Sequence, residues 1–305
     1  MSKLVVLGSV NADHVLKVPS FPRPGETLHG HGYQVIPGGK GANQAVAAAR
    51  LGADVGFVAC VGDDAFGINI RESFKLDGIN ISGVKMQPNC PTGIAMIQVA
   101  ESGENSICIS AEANAKLTAE AIEPDLEKIR QANYLLMQLE TPTCGVEAAA
   151  KEAALSATKV ILNPAPAKPL SDELLACVDV ITPNETEAEV LTGVAVSDHD
   201  SAQEAANILH AKGVETVLIT LGAQGVWLSE NGVGEIIPGF RVEATDTTAA
   251  GDTFNGALLT GLLEEKPLKS AIQFAHAAAA ISVTRFGAQT SIPKREEVDR
   301  FLASQ

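Results

Sequence analysis

The chain has 305 residues, 46% of them hydrophobic and 19% charged; it is long enough to bury a full core, and disorder is excluded as a starting expectation. Its formal charge of −15, from 22 basic and 37 acidic residues, argues against nucleic acid or an anionic membrane as a partner. An anionic ligand would have to be met locally, by helix ends, a metal or a placed lysine. Five scattered cysteines (Cys60, Cys90, Cys108, Cys144, Cys177) form no CxxC pair, so neither a disulfide nor a zinc framework is expected. Each lies in or beside an apolar run, which predicts buried thiols in a reducing compartment. The amino terminus lacks a signal pattern, and no apolar run approaches the roughly 18 residues of a membrane span. The expected location is the cytoplasm.

Leu4–Leu7 reads as a buried strand that meets a turn at Gly8-Ser9. Asn11 and Asp13 follow just past its carboxyl end, the edge where open α/β sheets bind ligands, although a turn bonded to its own backbone is the competing reading. From 14 to 37 prolines and glycines interrupt the apolar residues, which excludes helix and fits short antiparallel strands. The same character returns at 92–111. The two insertions together predict one small antiparallel sheet, a lid over a cleft, a dimer surface, or both. Between them, Gly38-Gly39-Lys40-Gly41-Ala42-Asn43 leads into a helix ending near Gly52. It is neither a Walker A loop nor GxGxxG, and its glycines allow close backbone approach to a ligand.

Strands and helices then alternate. Strands are expected at Val55–Cys60, Tyr134–Leu139, Val160–Leu162, Val178–Ile181 and Val217–Thr220, and a hairpin turns at Asn231-Gly232. Helices fall between them, followed by an alanine-rich helix from Ser270 through His276 to about Ser282 and a last helix at Glu296–Leu302. Such alternation predicts an α/β fold: a doubly wound, mostly parallel sheet with helices on both faces. No repeat or linker divides 1–305, so one domain carrying the β lid is expected.

Near the carboxyl end, Ala249-Ala250-Gly251-Asp252 opens an apolar helix. Unpaired N–H groups and the helix dipole make such a start an anion site, here with a carboxylate at its mouth. The local alternative is that Asp252 is merely a helix-start acid. Asn11, Asp13, Glu140 and Asp252, with the glycine turns at 38–41 and 222–225, all fall after strand ends, so several polar groups converge on one sheet edge. There is no nucleophile elbow, Cys-His pair or histidine cluster. What remains is positioning, charge stabilisation and one general base, the requirements of phosphoryl transfer to an alcohol.

The two glycine signatures, Gly38–Asn43 and Asp246-Thr247-Thr248-Ala249-Ala250-Gly251-Asp252, together with Asn184-Glu185-Thr186-Glu187, resemble the motifs of the ribokinase family of sugar and nucleoside kinases along essentially the whole chain. Asn11-Ala12-Asp13 with Glu140 is similar to the family's ribose-binding set. The resemblance implies ATP-dependent phosphorylation of the primary (O5) hydroxyl of D-ribose, giving ribose 5-phosphate and ADP. It assigns Asn11, Asp13, Gly39, Lys40, Gly41, Asn43 and Glu140 to the sugar, with Asp252 as general base. The amides of Ala250, Gly251 and Asp252 become an anion hole. It places ATP along Asn184, Thr220, Gly222, Gly225, Gly251 and His276, although packing alone reads His276 as a core or rim residue. Mg²⁺ is implied near Glu187 through water. A monovalent cation, K⁺, is implied beside Asp246, Thr248, Ser282, Arg285, Gly287 and Ser291, mostly through backbone carbonyls. A homodimer through the lid is implied as well. The commonest family form has glycine where Ala249 stands, from which the expectation is that this position needs no positive φ.

Three other readings compete. One is a kinase of the same family for fructose, a ketodeoxy sugar acid or a nucleoside. Another is a catalytically silent sugar-binding regulator, disfavoured by Asp252 and both signatures. A nicotinamide oxidoreductase is disfavoured by the missing GxGxxG.

Overall fold

The computed structural model describes residues 3–305. The main sheet contains β1 (Leu4–Leu7), β4 (Val55–Gly62), β5 (Asn80–Gln87), β8 (Tyr134–Met137), β9 (Lys159–Leu162), β10 (Val180–Ile181), β11 (Thr216–Thr220), β12 (Gly225–Glu230) and β13 (Val233–Pro238). A second sheet contains β2 (Asn11–Val18), β3 (His31–Gly38), β6 (Gly93–Ala100) and β7 (Asn105–Ser110). The helices are α1 (Lys40–Arg50), α2 (Ala65–Leu76), α3 (Ala119–Ile122), α4 (Leu126–Arg130), α5 (Thr143–Ala154), α6 (Asp172–Leu175), α7 (Glu185–Thr192), α8 (His199–Ala211), α9 (Ala250–Leu263), α10 (Leu268–Val283) and α11 (Arg295–Ala303).

The main sheet runs β13-β12-β11-β10-β9-β8-β1-β4-β5. It is parallel from β11 to β5 and closed at the other side by the antiparallel β12–β13 hairpin. β1 is buried on both faces, which is why its sequence is a continuous apolar run rather than an alternation. Leu4 and Val6 enter the core shared with α1, α9 and α10, while Val5 and Leu7 enter the one shared with α5 and α8. Helices therefore cover both faces, as the alternation predicts. The edge strand β5 was not anticipated. Asn80, Ser82 and Gly83 interrupt its apolar pattern, and it forms because β4 offers a free parallel edge.

The small sheet runs β3-β2-β6-β7. Its outer pairings, β2–β3 and β6–β7, are antiparallel, and its two halves are joined by a parallel β2–β6 pairing. β2 starts at Asn11, so Asn11 and Asp13 belong to this sheet, opposite Gly38 and Ile36, rather than to a free turn.

Helices α1 and α9 cross closely. A Cβ on Gly256 would lie 2.6 Å from the Ala47 Cβ and 2.7 Å from the Gln44 carbonyl oxygen, so only glycine fits there. That contact brings the start of α9 against the first turn of α1, although the two signatures lie some two hundred residues apart. The thiols correct an expectation: Cys60 is buried, but Cys90 and Cys177 are only half-buried and Cys108 and Cys144 are exposed. Cys108 lies on the edge strand β7 and Cys144 in the first turn of α5, so the apolar residues beside each did not dictate burial. Among the described residues no helix is long and apolar enough to cross a membrane.

Candidate active site

The carboxylate of Asp252 is held from both sides by α1. Asn43 Nδ2 donates to Oδ2 at 2.9 Å and Gln44 Nε2 donates to Oδ1 at 2.9 Å. Asp252 is 6% exposed, so these are desolvated, charge-assisted bonds that fix its orientation.

The backbone at this helix start is unusual. Ala249, the residue before α9, has φ 58° and ψ 16°. Positive φ is required here after all, and the expectation drawn from alanine at this position is overturned. The left-handed conformation costs an L-residue roughly 1–2 kcal/mol, and such strain is retained where the surrounding structure dictates it. Ala250 N–H donates to the Thr247 carbonyl at 3.2 Å. The Gly251 and Asp252 N–H groups have no protein partner among the described residues, and an added Cβ on Gly251 would meet nothing within 4 Å. Two unpaired amides thus stand at the positive end of a 14-residue helix.

The polar groups of the small sheet and of β8 converge on the same place. One oxygen of Glu140 is anchored: Oε2 accepts from Ser9 Oγ at 2.5 Å and from Lys40 N–H at 3.1 Å, while Oε1 keeps free capacity. Asn11 Oδ1 accepts from Asn114 Nδ2 at 2.8 Å, which leaves the Asn11 amide group free to donate. The Asp13 carboxylate has no hydrogen-bond partner among the described residues, and a Cβ on Gly38 would fall 2.0 Å from its Oδ2, so the glycine makes room for this carboxylate. Burial, then the charges of Glu140 and Asp252, push Asp13 up to about 7. Burial would lower the Lys40 ammonium, but the carboxylates of Asp252, Glu140 and Glu187 outweigh it and raise the group above its ordinary value. Asn43 Oδ1 is buried and has no partner among the described residues. A buried set with this much unused donor and acceptor capacity fits a ligand rich in hydroxyls.

Asn184 and Glu187 form a capping box at α7: Asn184 Oδ1 accepts from Glu187 N–H at 2.8 Å and Glu187 Oε2 accepts from Asn184 N–H at 2.9 Å. Glu187 is 8% exposed; burial raises its carboxyl above the usual range, against the opposing pull of the Asn184 N–H and Lys40. Thr220 reaches this turn, since its N–H donates to the Pro183 carbonyl at 2.9 Å. Gly225 packs on Gly239, and Gly239 faces His276. The His276 ring lies 5.3 Å from Phe254 of α9, and burial pushes its pKa down to about 4. Gly222 sits in the one-turn helix between β11 and β12.

The residues assigned to a monovalent cation are only partly brought together. Asp246 Oδ1 accepts from Thr248 N–H and Oγ1, and Oδ2 accepts from Gly287 N–H at 2.9 Å, which ties the loop before α9 to the loop after α10. The Ser282 and Ser291 hydroxyls donate to the carbonyls of Ala279 and Ala288. Arg285 is turned to Glu297 of α11, with 2.5 Å between Nη2 and Oε1. These side chains are already committed, so a cation here would find backbone carbonyls. Among the described residues no three His, Cys, Asp or Glu side chains are arranged to hold a metal.

Sequence reasoning missed Ser9, Gln44, Asn114, Gln138, Asn163, Thr182 and Asn255. Gln138, Asn163 and Thr182 each stand one residue past β8, β9 and β10, the same placement that singled out Glu140. Gln44 gave no signal, because one more polar residue in the first turns of a helix is unremarkable.

A parallel sheet whose carboxyl edge faces an acid-tipped helix start and a cluster of buried polar groups with unused capacity has the architecture of a phosphotransferase of the doubly wound class. The chain belongs to the pfkB family of carbohydrate kinases, whose model matches residues 1–295. A ribokinase from Haemophilus influenzae is 57% identical over 299 residues, covering 98% of both chains. The solved ribokinase of Thermotoga maritima is 41% identical with a TM-score of 0.91, covering 99% of this chain and 100% of that one. The Arabidopsis thaliana ribokinase, solved with ribose and ATP, is 36% identical with a TM-score of 0.92, covering 99% of this chain and 98% of that one.

Proposed function

We propose that the chain transfers the γ-phosphoryl group of ATP to the primary (O5) hydroxyl of D-ribose, releasing ribose 5-phosphate and ADP. The observation that carries the reading is the clamped carboxylate of Asp252 beside the unpaired Gly251 and Asp252 amides, facing the unused polar capacity of Asn11, Asp13, Asn43 and Glu140. Asp13 and Glu140 accept from sugar hydroxyls, and Asn11 and Lys40 donate to them; Gly39 and Gly41 let the backbone approach. A sugar that lacks one of these hydroxyls leaves a buried group unpaired, which is how such a pocket discriminates. Asp252 takes the proton from the attacking hydroxyl, and the two free amides meet charge on the phosphoryl oxygens. The Ala250 amide joins them only by sharing or releasing its bond to Thr247.

The nucleotide lies along Asn184, Thr220, Gly222 and Gly225, with neutral His276 at its base or ribose. Glu187, with one oxygen free of the capping box, is placed to hold Mg²⁺ through water; the ion would neutralise phosphate charge when bound. A monovalent cation held by carbonyls of the Asp246–Thr248 and Ser282–Ser291 segments would steady the turn that presents the amides. Five free thiols suit the cytoplasm. We read residues 1–305 as one domain and the small sheet as its lid, paired in a homodimer with that of a second copy.

ADP release with ATP across D-ribose, 2-deoxyribose, fructose and ketodeoxy sugar acids, with and without K⁺, tests the reading. Turnover highest on D-ribose and stimulated by K⁺ is expected. Turnover on none of them would leave a sugar-binding regulator in its place.

A further inference from the structure

Gln44 is fully buried, and its amide has only one orientation that satisfies its neighbours. The Asp252 carboxylate accepts only and Asn163 presents its Oδ1, so the Gln44 NH₂ group must face them, donating to Asp252 Oδ1 at 2.9 Å and to Asn163 Oδ1 at 3.0 Å, which leaves Oε1 to accept from Gln138 Nε2 at 2.5 Å. Asn163 is fixed in turn, because its Nδ2 donates to the Thr182 carbonyl at 3.1 Å. The Thr182 hydroxyl donates to Asn255 Oδ1 at 2.7 Å, and Asn255 Nδ2 donates to the Gly251 carbonyl at 2.9 Å. The chain of bonds leaves the carboxylate of Asp252, passes the ends of β9 and β10, and returns to the backbone of the turn that precedes that same carboxylate. Gln138 stands at the end of β8, so the orientation of one amide is set by three adjacent strands.

We propose that Gln44 is a positioning residue for phosphoryl transfer: oriented by Asn163 and seated on Gln138, it holds the carboxylate of Asp252 in place. The inference rests on the assignment of Asp252 as general base. A donor fixed in this sense stabilises the carboxylate, whereas a group that cannot donate there, or a second carboxylate, disfavours its ionised form. The charged groups that face Asp252 are Lys40 of α1, Asp13 of β2 and Glu187 of α7. None of them is altered by changing Gln44.

The test is kcat and both KM values as a function of pH for wild type, Gln44→Met, Gln44→Glu and Asp252→Asn, with a thermal midpoint for each. Gln44→Met should lower kcat about 10- to 100-fold, the weight of one hydrogen bond to a charged group. Both KM values should stay within about threefold, and the acid limb of kcat should move to higher pH. Gln44→Glu, nearly isosteric and still able to accept from Gln138, should move that limb further. It also keeps the test readable if Gln44→Met does not fold. A lowered thermal midpoint with the wild-type acid limb and normal kcat per folded molecule in both variants overturns the proposal. Near-normal turnover by Asp252→Asn would instead overturn the base assignment on which it rests.

Discussion

At the scale of single residues, the acids around the cleft divide their labour by what already holds them. Asp252 is gripped by two amides, Glu140 is anchored through one oxygen, and the Asp13 carboxylate has no partner among the described residues. The first suits a base that must not move, and the last suits a group whose partners arrive with the substrate. Asp252→Ala should therefore cut kcat by roughly 10²–10⁴-fold while nucleotide binding survives. Asp13→Ala should raise the sugar KM far more than the ATP KM. Steady-state kinetics with calorimetric nucleotide titration separates the two, and equal effects of Asp13→Ala on both KM values would remove Asp13 from the sugar site. Ala249 makes a different case. Its positive φ is strained for alanine but free for glycine, and the relief of roughly 1–2 kcal/mol is offset by the roughly 0.5–1 kcal/mol of extra unfolded-state entropy that glycine brings. Ala249→Gly is thus expected to fold at least as stably as the parent, by up to about 1.5 kcal/mol in urea unfolding. A loss exceeding 1 kcal/mol would mean that the Ala249 methyl is itself packed.

At the scale of elements, what was legible in the sequence was whatever local pattern dictates. The buried parallel strands are continuous apolar runs, and β1 was read with its observed bounds, Leu4–Leu7. The glycine signatures announced the starts of α1 and α9. Elements that exist only because a neighbour offers an edge or a surface were not legible: β5 depends on β4, and the amide chain through Gln44 depends on how α1 meets α9. The positive φ of Ala249 was misread for a related reason, since local chemistry favours glycine in that conformation and only the surrounding loops impose it on alanine. The parallel β2–β6 junction of the small sheet belongs here too, because pairing sense is set by the route of the chain between two distant segments. On that sheet, Ile107 and Ile109 of edge strand β7 are paired with Ile97 and Ala95, which in turn pair with Val15 and Asp13. Directly paired residues share a face, so an apolar strip runs outward from Asp13 and Val15. Ile107 and Ile109 are 52% and 49% exposed in the single chain, on an unpaired edge. On the proposed pairing of two small sheets, replacing both with aspartate should give a monomer in light scattering where the parent is a dimer, with the sugar KM raised. A double variant that remains dimeric would move the interface elsewhere.

At the scale of the whole molecule, two buried groups set opposing pH dependences on folding. Asp13 titrates near 3.8 when unfolded and at about 7 when folded. The folded chain therefore holds the extra proton between those values, and this contribution to stability falls as pH rises through the window. His276 titrates near 6.5 unfolded and at about 4 folded. There the unfolded chain holds the extra proton, so this contribution rises with pH across an overlapping range. At about 1.4 kcal/mol per pKa unit, each amounts to roughly 2–3 kcal/mol between pH 4 and 6.5, with opposite sign. In the intact protein they nearly cancel, although one lies beside Glu140 and Asp252 and the other against Phe254. The cancellation is testable by breaking it from either side. Relative to wild type, Asp13→Asn should gain stability progressively as pH rises from 4 to 6.5, because the destabilising carboxylate is gone and the His276 slope stands alone. His276→Asn should show the reverse, losing stability relative to wild type over the same range whatever its offset from lost packing. Urea midpoints measured at half-unit pH intervals, at constant m-value, read both slopes directly. Parallel curves for the two variants would mean that neither group carries its shifted titration in the folded chain.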